Sequence, residues 1–330
     1  MSVPDRPPSL RMIAEQLGVS VATVSRIANG ETGRASPALV QEVRRVIAET
    51  GYQPSHLGRA LRRQETRLVA MLISNLDNPA MAAIAASTEA ALRAAGYVMF
   101  LCDTHDAPEV QDEYLYAMRS QAVRGYVLVT SVRSPGLESF VASGAPIVFV
   151  SRRNPYGPGP FVGVDDARAG ADAAEQFWAK GIREAAVLGP DPGSSVTSDR
   201  IEGFCRGFEE RGGRVRRVLQ PASSTSSHLS IGYQAGRQLG DWPPGVFCAS
   251  DMVGYGAYRA ACEAGVTVPG DCVLLSVDGN AIDRWLAPWL ASIGVPHADF
   301  GSPIVEVLGE LWRGAPASER ILAHSLPHRA

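Results

Sequence analysis

From residue 66 onward, short apolar runs alternate with helix-patterned stretches, and few folds accommodate that rhythm. Leu68–Ser74, Tyr97–Cys102, Gly125–Thr130, Pro146–Val150 and Phe161–Val164 read as strands, and Ala185–Leu188, Val215–Leu219, Val246–Ala249 and Val273–Val277 continue the series. Most are separated by helical patterns such as Pro79–Ala95, which Gly96 ends. Apolar strands alternating with helices imply parallel sheets covered on both faces. The stretch YGPGPF at 156–161 breaks the pattern. It suggests two halves that meet near residue 160.

The bulk properties narrow the function. Hydrophobic residues make up 45% of the 330 and charged ones 20%. No apolar run reaches the roughly 18 residues of a membrane span, and MSVPDRPPSLR lacks a signal-peptide core. The chain is therefore expected in the cytoplasm, with no membrane partner. Its five cysteines form no C-x-x-C pair and read as buried reduced thiols. A two-lobed α/β enzyme would need a nucleophile, base or metal constellation. G-x-x-x-x-G-K-[ST], G-x-S-x-G and H-E-x-x-H are all missing, the six histidines are dispersed, and GPDPGSS at 189–195 is merely glycine-rich. No catalytic residue, metal or cofactor is expected. A solute-binding transport protein would share the two lobes, but it would carry a signal peptide and no DNA-binding head.

Residues 1–65 hold nine arginines and six acids, a net of +3, so the remainder carries −6 against the whole-chain −3. A basic head on an acidic body fits a nucleic-acid module. Within it, Ser9 is placed to cap a helix whose face is Leu10, Ile13, Ala14 and Leu17, ended by Gly18. Ser20 would cap a second helix that buries Val24 and Ile27 and turns Val21, Ala22, Ser25, Arg26 and Asn29 outward. A third begins at Ser36-Pro37 and runs to Gly51. Small residues at 14 and 18 allow the close crossing of a helix-turn-helix.

IAEQLGVSVATVSRIANG, a third helix, and then GYQPSHLGRALRRQETRLVAMLISNLDNPA resemble the LacI/GalR family of bacterial transcription regulators. The resemblance implies an all-α helix-turn-helix domain (1–53), a hinge (54–66) and a ligand-binding domain (67–330) of two Rossmann-like lobes of the periplasmic-binding-protein type. The first lobe would span about 67–162 plus 293–320 and the second about 163–292 plus 321–330, with the strand and helix from Ile293 returning to the first. The implied function is a repressor that binds a palindromic double-stranded operator as a homodimer in the nucleoid, modulated by a small effector between the lobes. Val21 and Ala22 would touch base edges and Arg26 would read a base, since its two donors match guanine O6 and N7. Ser20, Thr23, Ser25 and Asn29 suit phosphates. Residues 55–63 would form a hinge helix only on DNA, with Leu61 as a minor-groove wedge and Arg59, Arg62 and Arg63 near phosphates. The tail after Arg320 lacks leucine heptads, which favours a dimer over a tetramer.

In parallel sheets ligands sit beyond the carboxyl ends of strands. The polar residues there are Asp103, Ser151, Arg152, Asp165, Ser250, Asp251 and Asp278, while Arg200 opens a helix. By family position Arg200 and Asp278 match effector residues best; a structural ion pair is the plainer alternative. Asp103 and Asp165 suit helix N-capping equally well. Where the family usually has D-N-P-F-F, this chain has Asn78-Pro79-Ala80-Met81, with no ring to stack on a ligand. A small sugar or sugar acid is therefore expected rather than a nucleobase.

Overall fold

The computed structural model describes residues 9–28, 30–33, 35–52, 66–190, 194–221, 227–316 and 318–327. Asn29, Arg59, Leu61, Arg62 and the expected hinge helix lie outside the described residues. The chain divides into two units, 1–66 and 67–330.

In the first unit α1 (Leu10–Leu17) starts where the Ser9 side chain accepts the Met12 N–H, and it ends at Gly18, whose φ of 63° is the left-handed geometry glycine tolerates. α2 (Val21–Ala28) follows after two residues; Ser20 Oγ accepts the Thr23 N–H at 3.1 Å. α3 (Pro37–Thr50) is capped by Ser36 and stopped by Gly51. Ile13, Ala14, Val24, Ile27, Val43 and Val46 close the core between the three helices.

The second unit contains two all-parallel sheets. The first is built from β1 (Leu68–Ile73), β2 (Val98–Asp103), β3 (Gly125–Val129), β4 (Ile147–Val150), β5 (Phe161–Val164) and β11 (Glu319–Leu322), in the order β11-β5-β4-β3-β1-β2. The second holds β6 (Glu184–Leu188), β7 (Arg214–Leu219), β8 (Gly245–Cys248), β9 (Val273–Asp278) and β10 (Leu290–Gly294), in the order β10-β9-β8-β6-β7. The helices between them are α4 (Pro79–Ala94), α5 (Pro108–Ser120), α6 (Pro135–Ala142), α7 (Asp166–Ala179), α8 (Ser195–Glu210), α9 (His228–Leu239), α10 (Asp251–Glu263), α11 (Asp283–Leu286) and α12 (Gly301–Trp312). One buried apolar cluster runs from Val69 in the first sheet to Val277 in the second.

Three sequence expectations need correction. β5 pairs with β4 and β11, so the first sheet continues through Val164 rather than ending near 162. β10, which contains Ile293, pairs with β9, so the chain returns to the first lobe only after Gly294. Residues 319–322 add to the edge of the first sheet, so the segment from 321 does not belong wholly to the second. The tail then leans back, with Ser325 bridging Gly294 and His324 Nε2 lying 2.8 Å from Asp172 on α7. The thiols also divide: Cys102, Cys248 and Cys272 are buried, but Cys262 is exposed and Cys205 half-buried. No helix among the described residues is long and apolar enough to cross a membrane.

A candidate effector cleft and nucleic-acid face

On the first unit, Ser20, Val21, Ala22 and Arg26 are exposed, while Thr23 and Ser25 are half-buried. Thr23 bonds back to the capping Ser20 hydroxyl at 2.8 Å. The Arg26 Nε donates to the Ala22 carbonyl at 3.2 Å, which lays the guanidinium along the exposed side of α2. Short side chains beside one long cationic fork let a helix approach a polar groove closely.

On the second unit, a cleft of about 540 Å³ opens at the carboxyl ends of the strands. Ser74 follows β1, Asp103 ends β2, Thr130 follows β3, Ser151 and Arg152 follow β4, and Asp278 ends β9; all line it. Backbone strain gathers there. Six non-glycine described residues have positive φ, and five of them (His105, Asp106, Thr130, Ser151 and Asp278) line the cleft. Left-handed geometry costs such residues about 1–3 kcal/mol each, so the surrounding structure must hold them in place.

Arg200 lies on α8 and is only 5% exposed. Its Nε donates to Asp166 Oδ1 at 2.7 Å, and its Nη1 to Asp278 Oδ1 and the Ala249 carbonyl, both at 3.0 Å. Two carboxylates thus face one guanidinium in a buried setting. Burial pushes Asp278 up to about 7 against the pull of Arg200, and it raises Asp166 as well. Arg200 and Asp278 thus form the ion pair of the plainer reading, and both line the cleft. Arg152 spans the lobes. Its Nη1 donates to Asp106 at 3.0 Å and to the Thr130 carbonyl at 3.1 Å, and its Nε to Ser194 Oγ at 3.2 Å. Ser194 precedes α8 but makes no side-chain cap there; its hydroxyl meets Arg152 instead.

Of the other residues expected in the site, Asp103, Ser151 and Ser250 line the cleft, but Asp165 and Asp251 do not. Asp165 is exposed and caps α7 by accepting the Arg168 N–H at 2.9 Å; its neighbour Asp166 is the one that turns inward. Asp251 is fully buried and accepts from Ser276 Oγ, Ser292 Oγ and the Asn280 N–H, so it ties β9 and β10 to α10. Sequence reasoning missed Asp106, His228 and His297. His228 Nδ1 lies 3.0 Å from Ser250 Oγ. Burial, then Arg152, drives His228 down to about 4, and burial, then Arg200, drives His297 to about 3. Both rings line the cleft as neutral imidazoles. No group of three or more His, Cys, Asp or Glu among the described residues could hold a metal ion.

These shifts set a pH prediction. Asp278 and Asp283 are each raised to about 7, with burial the first cause. A raised carboxyl stabilises the fold fully below about pH 4 and loses that contribution as pH rises through 7. A depressed imidazole contributes above about pH 6.5 and loses as pH falls through its folded value. Between about pH 4.5 and 6 these carboxyls, with Asp166 shifted in the same direction, oppose the two imidazoles. In Asp283→Asn one opposing carboxyl is gone, so calorimetric stability of the full chain should climb with pH in that window relative to the parent. A parallel pair of pH profiles would contradict this balance.

The comparisons with known proteins agree with this geometry. Residues 9–55 match the family described as bacterial regulatory proteins, lacI family, and 174–329 match the periplasmic binding protein-like domain. The chain is 31% identical over 316 residues to the HTH-type transcriptional regulator reg1 of Streptomyces lividans, covering 92% of this chain and 90% of that one. The fold superposes on the lac repressor dimer bound to operator and the anti-inducer ONPF with a TM-score of 0.85, at 22% identity and 98% coverage of both chains. A LacI family regulator from Enterococcus faecium with bound ribose gives a TM-score of 0.68 at 22% identity, covering 78% of this chain and 96% of that one. A lacI-type helical head followed by a periplasmic-binding-protein-like body defines a transcription regulator. The chain belongs to the LacI family of bacterial transcription regulators and is not an enzyme.

Proposed function

We propose that this chain is a cytoplasmic, nucleoid-associated repressor that binds a palindromic operator as a homodimer, and that a small sugar or sugar-acid-like molecule in the cleft alters its DNA affinity. The observation that carries the reading is the buried Arg200–Asp166–Asp278 cluster lining a polar cleft, in a chain that also presents Val21, Ala22 and Arg26 on an exposed helix. A guanidinium and carboxylates supply the donors and acceptors that paired hydroxyls require. The ribose held by the Enterococcus faecium regulator supports that ligand class.

Ile282, Trp285 and Leu286, at and beside α11, are exposed, and Val98 is exposed on the edge strand β2. Apolar side chains presented in this way support association with a second copy. Two-fold symmetry would then match a two-fold operator. The domains of the proposal are 1–53 for DNA, 54–66 as a hinge that folds on DNA, and 67–330 for ligand. Ser20, Thr23, Ser25, Asn29, Arg59 and Arg62 contact phosphates, Leu61 is the wedge, and Val21, Ala22 and Arg26 read bases.

Selection from a random duplex pool tests the DNA half of this reading. The full chain should enrich a palindrome, and exchanging Val21 and Ala22 together should change the half-site it enriches. Arg26→Ala should weaken binding to the selected site by about 1–3 kcal/mol if it makes a bidentate contact to guanine. An equal loss on every duplex would make Arg26 a phosphate contact. An unchanged half-site after the double exchange would remove Val21 and Ala22 from the base-reading set.

A further inference from the structure

The charges around the cleft do not balance. Five carboxylates line it (Asp77, Asp103, Asp106, Asp166 and Asp278) against two guanidiniums, Arg152 and Arg200. Both guanidiniums are engaged: Arg200 holds Asp166 and Asp278, and Arg152 holds Asp106. Two carboxylates on the first-lobe wall, Asp77 and Asp103, therefore have no arginine opposite them among the described residues. Asp103 receives the Leu76 and His105 N–H groups at 3.0 and 3.1 Å, which fix its position without neutralising it. His105 Nδ1 lies 3.4 Å from the same carboxylate, and even one positive charge there would leave the first-lobe side, Asp77, Asp103 and Asp106 against Arg152, negative. Two other imidazoles, His228 and His297, are kept neutral by burial. Neither 191–193 nor 222–226 contains a lysine or arginine.

This arrangement gives the two walls different tasks. On the second lobe, Arg200 with its carboxylates is a nearly self-compensated group that can exchange hydrogen bonds with hydroxyls. The wall formed by the ends of β1 and β2 keeps a net negative potential, in which water screens the half-buried Asp103 less than the exposed Asp77.

We propose that the cleft rewards positive charge and rejects negative charge on a polyol skeleton, so that an ammonium-bearing ligand of the amino-sugar class binds tighter than its neutral counterpart, and the neutral form tighter than the acid or phosphate. The inference rests on the polyol reading of the same cleft and narrows it, removing sugar acids from the candidate set. The ammonium faces Asp77 and Asp103, and the hydroxyls face Arg200 and Asp278. Each step in ligand charge should change Kd by about tenfold at low ionic strength, and by less as salt screens the wall.

The test is a matched set of common pentose and hexose skeletons, each as amine, neutral sugar and acid or phosphate, titrated calorimetrically against the full chain. The order amine, neutral, acid on whichever skeleton binds is the expected result. Asp77→Asn combined with Asp103→Asn should compress that order toward equality, with calorimetric melting checking that the double variant is folded. An acid or phosphate binding as tightly as the neutral form overturns the proposal and leaves the polyol reading standing, as does equal affinity for amine and neutral forms. Silence from every skeleton in every charge state counts against the polyol reading itself.

Discussion

Arg200→Ala should destabilise the second unit by about 3–5 kcal/mol, because it strands two buried carboxylates that now share one guanidinium. Nη1 also carries the bond to the Ala249 carbonyl, so the end of β8 loses a donor in the same step. The loss should appear in urea unfolding followed by far-ultraviolet dichroism. Combining Arg200→Met with Asp166→Asn and Asp278→Asn removes the charges along with their partner. That triple variant should recover most of the stability, since replacing a buried ion cluster with neutral groups is often close to neutral. It should not recover the ligand response, because the guanidinium donors and the carboxylate charges that line the cleft are gone. A single variant that loses less than about 1 kcal/mol would mean the carboxylates are already protonated or solvated in the parent.

The second large effect lies in the helix pairs behind the cleft. α7 and α8 meet backbone to backbone: a Cβ at Gly203 would stand 2.1 Å from the Ala167 carbonyl oxygen, and one at Gly170 would stand 2.1 Å from the Arg200 carbonyl oxygen. α9 and α10 repeat the device at Gly256, where a Cβ would lie 2.1 Å from the Leu229 carbonyl oxygen. These obstacles are main-chain atoms, so relief requires whole helices to separate. Gly203→Ala and Gly256→Ala should each cost about 3 kcal/mol, at the upper end of overpacking penalties. Gly309 in α12 is the control, since a Cβ there meets only the movable end of Arg313 at 3.3 Å. Gly309→Ala should therefore stabilise by about 0.5–1 kcal/mol, the ordinary helix-propensity gain. Gly170→Ala should also weaken ligand binding, because the close crossing is what brings Arg200 within 2.7 Å of Asp166. If all four variants had similar stability, backbone contact would not be what sets this crossing.

Features decided locally were legible from the sequence. Ser9, Ser36, Gly18 and Gly51 start or stop helices through bonds and dihedral angles within a few residues, and all four do so. The strand–helix alternation was legible for the same reason, since burial on both faces leaves continuous apolar runs. Sheet membership is a long-range property. Nothing local in LASIG says that β10 joins β9, and ERIL at 319–322 is two charged residues followed by two apolar ones, which carries no strand period. The cleft was legible as the set of strand ends, but single positions were not. Asp165 and Asp166 are adjacent, and which one turns inward depends on the phase at which α7 begins. Asp251 sits at a strand end like its neighbour Ser250, yet hydroxyls from β9 and β10 draw it into the interior. His228 and His297 have ordinary sequence surroundings, and only burial beside arginines distinguishes them. The glycines inside α7, α8, α9 and α10 look like poor helix residues until their partner helices are in view.

The central claim is that one chain couples a cleft ligand to operator affinity, and reciprocity tests it most directly. Operator Kd would be measured on the full chain with and without saturating ligand, and ligand Kd with and without saturating operator. Linkage requires both ratios to equal a single factor, typically about 5–150-fold for coupled sites. The account predicts such a factor, equal in both directions, and lost in the Arg200→Met, Asp166→Asn, Asp278→Asn variant although that variant still binds operator. An operator Kd unchanged by a ligand that demonstrably fills the cleft would contradict it.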